Sequence, residues 1–516
     1  MKGNWFLLLV VFVSGMTTLA VELSASRLLG PFFGTSLIIW SVLIGLVLIY
    51  LTVGYYIGGR WADRHPHEAT LYQITAWAAF AIGLIPFISR PILRYSLEGF
   101  ATFSAGILIG SLLGVIILFS APLILLGCVS PFAIRLAMRD VKAAGNIAGS
   151  IYALSTLGSI IGTFAPVLVL IPRFGTKRTF ILIAVTLLLF SLIGLWRTHR
   201  RRFPLYALLL LAVIGLAAAF PSGGIKPGPE VIYEGESAYN YIRVLQEGDY
   251  RFLELNEGQA FHSVYNPHQL LTHSVWDYFL VVPYFNPDYS PDDVDSLALI
   301  GLAAGTVVRQ YTAIYGPIPI DGVEIDPQIV DVGRRYFDMN EPNLRAFVQD
   351  GRYWLATTDK KYDIIAVDAY RPPYIPFHLT TREFFTEVKE HLTEEGVAAI
   401  NAGRTATDYS LVQVLASTMK GVFPSVYLID LPTDGGDLSN TLVVGTVQPT
   451  KLENFRANMA HMTDPYLLEV AHKAVGNLSE VKESTVVFTD DQAPIEEVVH
   501  RMILTYVTGR EGKGRD

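Results

Sequence analysis

Two patterns of apolar and polar positions divide this chain. Over the first 220 residues or so, apolar residues run on without alternation. Seven stretches, 4–21, 36–57, 69–88, 101–127, 147–171, 179–196 and 205–220, are long enough or nearly so to cross a bilayer. Small residues recur in them at helix-packing spacing, as in Gly106, Gly110 and Gly114 and again in Gly158 and Gly162, which predicts close helix–helix approach. Beyond Val294 the pattern changes to short apolar runs, each closed by a glycine or a carboxylate and followed by a helical repeat. That alternation predicts a parallel α/β sheet.

The second pattern can be followed run by run. Residues 296–301 form an apolar strand closed by Gly301, and Gly301-Leu-Ala-Ala-Gly305 opens a helix over 307–315 whose free N–H groups face a ligand. The next strand, 320–325, carries Glu324 and then Asp326, about 20 residues after the turn, where a carboxylate accepts ribose hydroxyls. Asp350 and Gly351 follow a third strand, and the fourth, 362–368, ends in Asp368. Ligands of open α/β sheets sit at this carboxyl edge, which makes the region a candidate nucleoside-binding enzyme.

These runs, with Gly322-Val-Glu324-Ile-Asp-Pro327, Asp350-Gly351-Arg352, Val367-Asp368-Ala369, Ile375-Pro-Phe-His378-Leu-Thr-Thr-Arg382-Glu383 and Thr489-Asp490-Asp491-Gln-Ala-Pro494-Ile-Glu496, resemble the spermidine synthases, specifically their bacterial membrane-fused branch. The likeness spans roughly 231–501. It implies a multidomain chain in which a seven-helix transmembrane bundle (1–224) is followed by a small β-rich subdomain (225–290) and a Rossmann-like, class I methyltransferase-type domain (291–516). It also implies aminopropyl transfer from decarboxylated S-adenosylmethionine, with Asp368 as general base, Glu324 and Asp350 on ribose and adenine, Gln259 as a further cofactor contact, and a homodimer. Residues 58–64, Gly-Gly-Arg-Trp-Ala-Asp-Arg, resemble the loop between the second and third helices of major-facilitator transporters.

Composition fits a membrane protein with a soluble domain: the 516 residues are 51% hydrophobic. Charge separates the halves, because residues 1–224 hold 16 Lys+Arg against 5 Asp+Glu, whereas the remainder is strongly acidic and the whole chain is −8. An acidic second half offers no footprint for nucleic acid. The one cysteine, Cys128, excludes an intrachain disulfide, and no His/Cys cluster has metal-ligand spacing. Loops after spans two, four and six, with Lys2, hold ten Lys and Arg against six in the alternate loops, which puts the amino terminus in the cytoplasm of the bacterial membrane and, after seven spans, the acidic domain outside. Decarboxylated S-adenosylmethionine is made inside cells, so the charge pattern and the resemblance point to opposite sides.

Three departures from the family pattern stand out. Ala303 and Ala304 stand where glycines are usual, and a Cβ there crowds a ligand and restricts positive φ. Arg371 occupies the place of a second acid beyond Asp368. A Tyr-His-Glu that clasps the diamine is replaced by Pro267-His268-Gln269, with His273 further on. Arg371, with Tyr370, Tyr374 and His378 around it, suits an anionic partner, and Tyr239, Asp490 and Asp491 are further substrate candidates. Three readings therefore stand. One is a membrane-anchored aminopropyltransferase with Asp368, His378 and Tyr370 at its centre. Another is an outward-facing enzyme on the same fold that acts on an anionic glycan or lipid-linked substrate by elimination or intramolecular displacement, without such a cofactor. The last is a transporter-like sensor without chemistry.

Overall fold

The computed structural model describes residues 5–33, 37–98, 106–138, 143–220, 230–256, 260–370, 374–432, 438–481 and 486–507. The chain forms two compact units, Met1–Pro227 with Gly235–Tyr241, and Gly228–Glu234 with Ile242–Asp516.

The first unit is helical, with α1 (Trp5–Phe33), α2 (Leu37–Arg64), α3 (Glu68–Glu98), α4 (Gly106–Gly127), α5 (Val129–Ala137), α6 (Ala144–Ala165), α7 (Ile171–Thr198) and α8 (Phe203–Ala219). Among the described residues five helices are long and apolar enough to cross a membrane, where the apolar pattern predicts seven stretches. The difference has a local cause. The fifth and sixth stretches fall in one run, Ala144–Thr198, continuous through a π-helical turn at Pro166–Leu170 and broken in backbone geometry only at Gly175, whose φ is 77°. The seventh stretch is the shorter helix Phe203–Ala219. Residues 58–64 are not a loop but the last turns of α2, where Asp63 accepts from Arg135 Nε at 3.1 Å.

Small residues do act at helix crossings. A Cβ on Gly158 would lie 2.0 Å from the Phe12 carbonyl oxygen, and one on Gly162 2.0 Å from that of Met16, so α6 and α1 touch backbone to backbone. Large apolar side chains on α2, α6 and α8, such as Leu48, Tyr56, Leu157, Phe164 and Leu211, are exposed. Cys128 is buried and forms no disulfide.

The second unit holds two sheets. A four-stranded sheet runs in chain order, β1 (Val231–Glu236), β2 (Tyr241–Glu247), β3 (Tyr250–Leu255) and β4 (Phe261–Tyr265). After α9 (Val275–Tyr278), the larger sheet is built from β5 (Leu297–Ile300), α10 (Thr306–Tyr315), β6 (Ile320–Glu324), α11 (Pro327–Tyr336), β7 (Leu344–Val348), α12 (Gly351–Thr357), β8 (Tyr362–Val367), α13 (Arg382–Glu390), β9 (Leu392–Thr405), α14 (Ser410–Lys420), β10 (Ser425–Asp430), β11 (Leu438–Thr446), α15 (Leu452–Asn458), α16 (Pro465–Val475), β12 (Leu478–Glu480) and α17 (Ile495–Val507). Its strand order is β12-β10-β11-β9-β8-β5-β6-β7, with β5 to β9 parallel and β10, β11 and β12 antiparallel.

The two-residue period of a strand builds both cores. Leu297, Leu299, Ile364, Ala366, Val397 and Ala399 enter one buried cluster, while their neighbours Ala298, Ile300, Ile365, Val367, Ala398 and Ile400 enter the other. Both faces are covered, which is why these strands read as unbroken apolar runs. From β5 the chain moves outward through β6 to β7, then returns to place β8 on the other side of β5. The switch point, where a crevice opens at the carboxyl ends, therefore lies between β5 and β8.

Candidate active site

At that switch point the strand ends meet directly. Asp368 N–H donates to the Ile300 carbonyl at 2.8 Å, and Gly301 N–H donates to Val323 O at 2.9 Å. Gly301 has φ 96°, and a Cβ there would stand 2.5 Å from the carbonyl carbon and oxygen of Asp368. Only glycine lets the loop pass so close to the end of β8. Gly305, φ 88°, precedes α10 in the left-handed region, against Met339. Gly351 is just as confined, since a Cβ would lie 2.3 Å from Ile300 Cγ2.

Ala303 and Ala304 take up the loop without glycine. Ala303 adopts φ 47°, a left-handed conformation that costs an L-residue roughly 1–2 kcal/mol. Both alanines pack against the cluster formed by Ile242, Val244, Leu253 and Leu255 of the small sheet with Ile329, Val332 and Phe337. Ala304 N–H donates to Ser263 Oγ on β4 at 2.9 Å. Both alanines thus have packing partners in the small sheet and on and after α11.

Four carboxylates follow the strand ends, and they differ in what they already hold. Asp326 caps α11 by accepting from Gln328 N–H at 3.0 Å. Asp350 caps α12 through Oδ1, which accepts from Arg352 and Tyr353 N–H at 3.0 Å, and its Oδ2 meets His378 Nε2 at 2.9 Å. That imidazole, first among several donors, holds the Asp350 carboxyl below its usual range. Glu324 is buried and accepts from Ala303 N–H at 3.0 Å and Asp326 N–H at 3.1 Å. Burial outweighs those two bonds and pushes its carboxyl up to about 7. Asp368, partly buried, accepts from Trp276 Nε1 at 3.0 Å on Oδ2 and from Asn401 Nδ2 at 2.8 Å on Oδ1. Desolvation dominates there too, and pushes its carboxyl up to about 6.

Several predicted residues have other partners. Tyr370 is linked to β9: its hydroxyl donates to Asn401 O at 3.1 Å and accepts from Gly403 N–H at 2.9 Å, so it ties the loop after β8 to the next strand. His378 pairs with Asp350 rather than with Asp368. Tyr374 is buried, with its hydroxyl 2.6 Å from His500 Nε2 on α17. Asp490 is held bidentately by Arg352 at 2.7 and 2.8 Å and accepts from Thr381 Oγ1 at 2.7 Å, while Asp491 is exposed. Arg352 also grips Glu387 at 2.6 Å, so this network fastens the 486–494 segment to α12 and α13. His268 is an exposed turn residue, and His273 faces Glu469 and Lys473 on the surface. Tyr239 belongs to the segment grouped with the helical unit. Gln259 and Arg371 lie outside the described residues.

Trp276, Asn401 and Asn440 were not singled out from sequence. The upstream segment that reaches Asp368 is Trp276 on α9, not Pro267-His268-Gln269. Its neighbour Asp277 holds the preceding loop, accepting from Thr272 N–H, Thr272 Oγ1, His273 N–H and Gln310 Nε2. The available signal was Asn401 itself, a polar residue directly after the apolar run 397–400.

A glycine-bearing turn after β5, carboxylates at the ends of β6, β7 and β8, and a switch point between β5 and β8 define a Rossmann-like α/β domain. Residues 294–450 match the spermine/spermidine synthase domain. The chain is 34% identical over 280 residues to a probable polyamine aminopropyl transferase of Bifidobacterium longum, a match over 51% of this chain and 61% of the relative's length. It is 23% identical over 486 residues to polyamine aminopropyltransferase 2 of Aquifex aeolicus, covering 88% of this chain and 90% of that one. A crystal structure of a probable spermidine synthase from Corynebacterium glutamicum aligns with 52% of this chain and 99% of its own, at 18% identity and TM-score 0.40.

Proposed function

We propose that this protein is a membrane-anchored transferase of the polyamine aminopropyltransferase type, in which Asp368 accepts the proton of the attacking amine. The observation that carries the reading is Asp368 itself. It terminates a central strand at the switch point, each of its oxygens has one neutral donor, and its carboxyl is pushed up to about 6. At neutral pH such a group is mostly ionised and can accept a proton, yet it is basic enough to retain one in a desolvated site. An amine is protonated in water at that pH, so a carboxylate that relieves it of the proton and holds its nitrogen in line is the minimum the reaction requires.

The residues present suit an adenosyl donor. Glu324 is a buried carboxylate with two backbone donors, and hydroxyls of a ribose would supply the further hydrogen bonds its burial leaves wanting. The N–H groups of the Gly301 loop donate to Val323, Glu324, Ser263 and Leu302, so they hold the turn in place rather than offering donors. Decarboxylated S-adenosylmethionine, when bound, supplies an alkyl carbon activated by an adjacent sulfonium. The relatives reported above are named as transferases, and nothing favours the elimination reading. Membrane anchoring rests on the five apolar helices and on the exposed apolar side chains of α2, α6 and α8.

The test uses the full-length protein in detergent, decarboxylated S-adenosylmethionine and a panel of mono- and diamines, with release of methylthioadenosine as the readout. Turnover with at least one amine is expected, and Asp368→Asn should cut it by about 10²–10⁴-fold. Absence of release with every amine, or an Asp368→Asn variant as fast as the parent, would refute the proposal.

A further inference from the structure

Asp368 is held by a side chain that is itself held. Asn401 on β9 donates to Asp368 Oδ1 at 2.8 Å, and Asn440 on β11 donates from Nδ2 to Asn401 Oδ1 at 2.8 Å. β9 lies between β8 and β11, and Asn440 is two residues from Leu442, the partner of Asn401 in register. The two amides are therefore diagonal neighbours on one face.

An ionised carboxylate only accepts hydrogen bonds, whereas a primary amide presents a donor at one end and an acceptor at the other. While Asp368 is charged, Asn401 must turn its N–H2 toward it, and its oxygen then needs a donor, which Asn440 supplies. Once Asp368 carries a proton, the whole row can reverse. Asp368 O–H donates to Asn401 Oδ1, and Asn401 N–H2 donates to Asn440 Oδ1. The geometry points to Asn401 and Asn440 as a reversible amide relay, with Asn440 as a positioning residue that keeps Asp368 hydrogen-bonded both before and after it takes up a proton. Each state is satisfied within this segment, so the proton moves without stranding a buried donor or acceptor.

The charged and titratable groups on neighbouring elements have partners of their own. Asp277 on α9 is saturated by Thr272, His273 and Gln310. Arg404 on β9 donates to Thr441 Oγ1 and to the carbonyls of Thr405 and Leu431, with Asp430 beside it. Tyr370 is bound to β9 as described, and Glu324 lies beyond β5.

The relay makes a signed prediction. Asn440→Asp is isosteric and accepts only, so it forces Asn401 to donate toward β11 and to turn its oxygen to Asp368. The protonation midpoint of Asp368 should rise by about one to two pH units, the effect of exchanging a donor for an acceptor at a carboxylate. The midpoint is read by infrared spectroscopy on the full-length protein, as the pH-dependent carboxyl C=O band that disappears in Asp368→Asn. A new charge at 440 would also act through space, and the same substitution in an Asn401→Leu or Asn401→Ser background isolates that effect. A rise that collapses to a few tenths of a unit without Asn401 supports the relay. An equal rise in both backgrounds, or no rise in either, overturns it. The consequence for catalysis rests on Asp368 being the proton acceptor, but the titration does not. If no amine is turned over, the functional proposal fails while the relay is still decided by the infrared midpoints.

Discussion

Gly301→Ala should loosen the edge at which β5 and β8 meet, and two independent terms set the size of the effect. At φ 96° an alanine pays the left-handed penalty, roughly 1–2 kcal/mol. Its Cβ would also sit 2.5 Å from the Asp368 carbonyl carbon and oxygen and 2.7 Å from Ala369 N, all backbone atoms that no rotamer change can move aside. Overpacking of this kind costs about 1–3 kcal/mol. Together the terms come to about 2–5 kcal/mol, or a loss of roughly 30- to several-thousandfold in local protection. Hydrogen–deuterium exchange of the full-length protein in detergent, followed by mass spectrometry of peptides covering 297–311 and 362–370, reads this directly. Unfolding of a two-unit chain is not a single two-state event, so a local measurement is preferable to a melting point. The reciprocal control is Ala303→Gly, which relieves a left-handed alanine at φ 47° but gives up its contact with the small sheet and gains unfolded-state freedom. Protection there should change by less than about tenfold in either direction. If Gly301→Ala leaves both peptides within threefold of the parent, the close approach of the loop to Asp368 is not what glycine is there for.

Trp276→Phe keeps the packing but removes the indole N–H from Asp368 Oδ2; the acid limb of the pH–rate profile, expected near 6 in the parent, should move upward by about one unit, and an unmoved limb would deny the bond any electrostatic role. Rate should fall about tenfold per pH unit below that limb, because the base must be ionised. Arg352→Ala removes one guanidinium from Asp490, Glu387 and the His378 carbonyl at once, so the 486–494 segment should become a site of early proteolysis, with a loss of about 1–3 kcal/mol; resistance equal to the parent would show that the segment is held by other contacts. Asp350 is held below its usual range and so contributes stability above its unfolded-state value that is lost on acidification through its lower folded one; His378→Phe should narrow that acid-dependent loss, measured by exchange in α12.

The α/β region was legible because its signals are local. Strands β5, β6 and β8 were placed to within one or two residues, since burial on both faces leaves uninterrupted apolar runs and each run ends at a glycine or carboxylate. Membrane-length helices were legible for the same reason, but their number was not. Gly175, at φ 77°, separates two helices within the run Ile171–Thr198, and a hydropathy pattern does not distinguish a turn from a bend. The partners of the site residues were the least legible. Trp276 reaches Asp368 across 92 positions in sequence, and Asn401 and Asn440 meet only because β11 inserts next to β9 against chain order.

By its own periodicity and punctuation, the sequence determined the element types, the two-part composition and the carboxylates at the strand ends, because those depend on neighbours a few residues away. Tertiary structure alone decided which of those carboxylates is spent on a helix cap, as Asp326 and Asp350 are, and which stands at the switch point with neutral donors, as Asp368 does. It also decided that Ala303 and Ala304 pack with both the small sheet and α11. Chain order does not encode the direction of a side chain across a loop. That direction follows from which distant surfaces must be buried together, and here the small sheet, α11 and the loop after β5 bury one another.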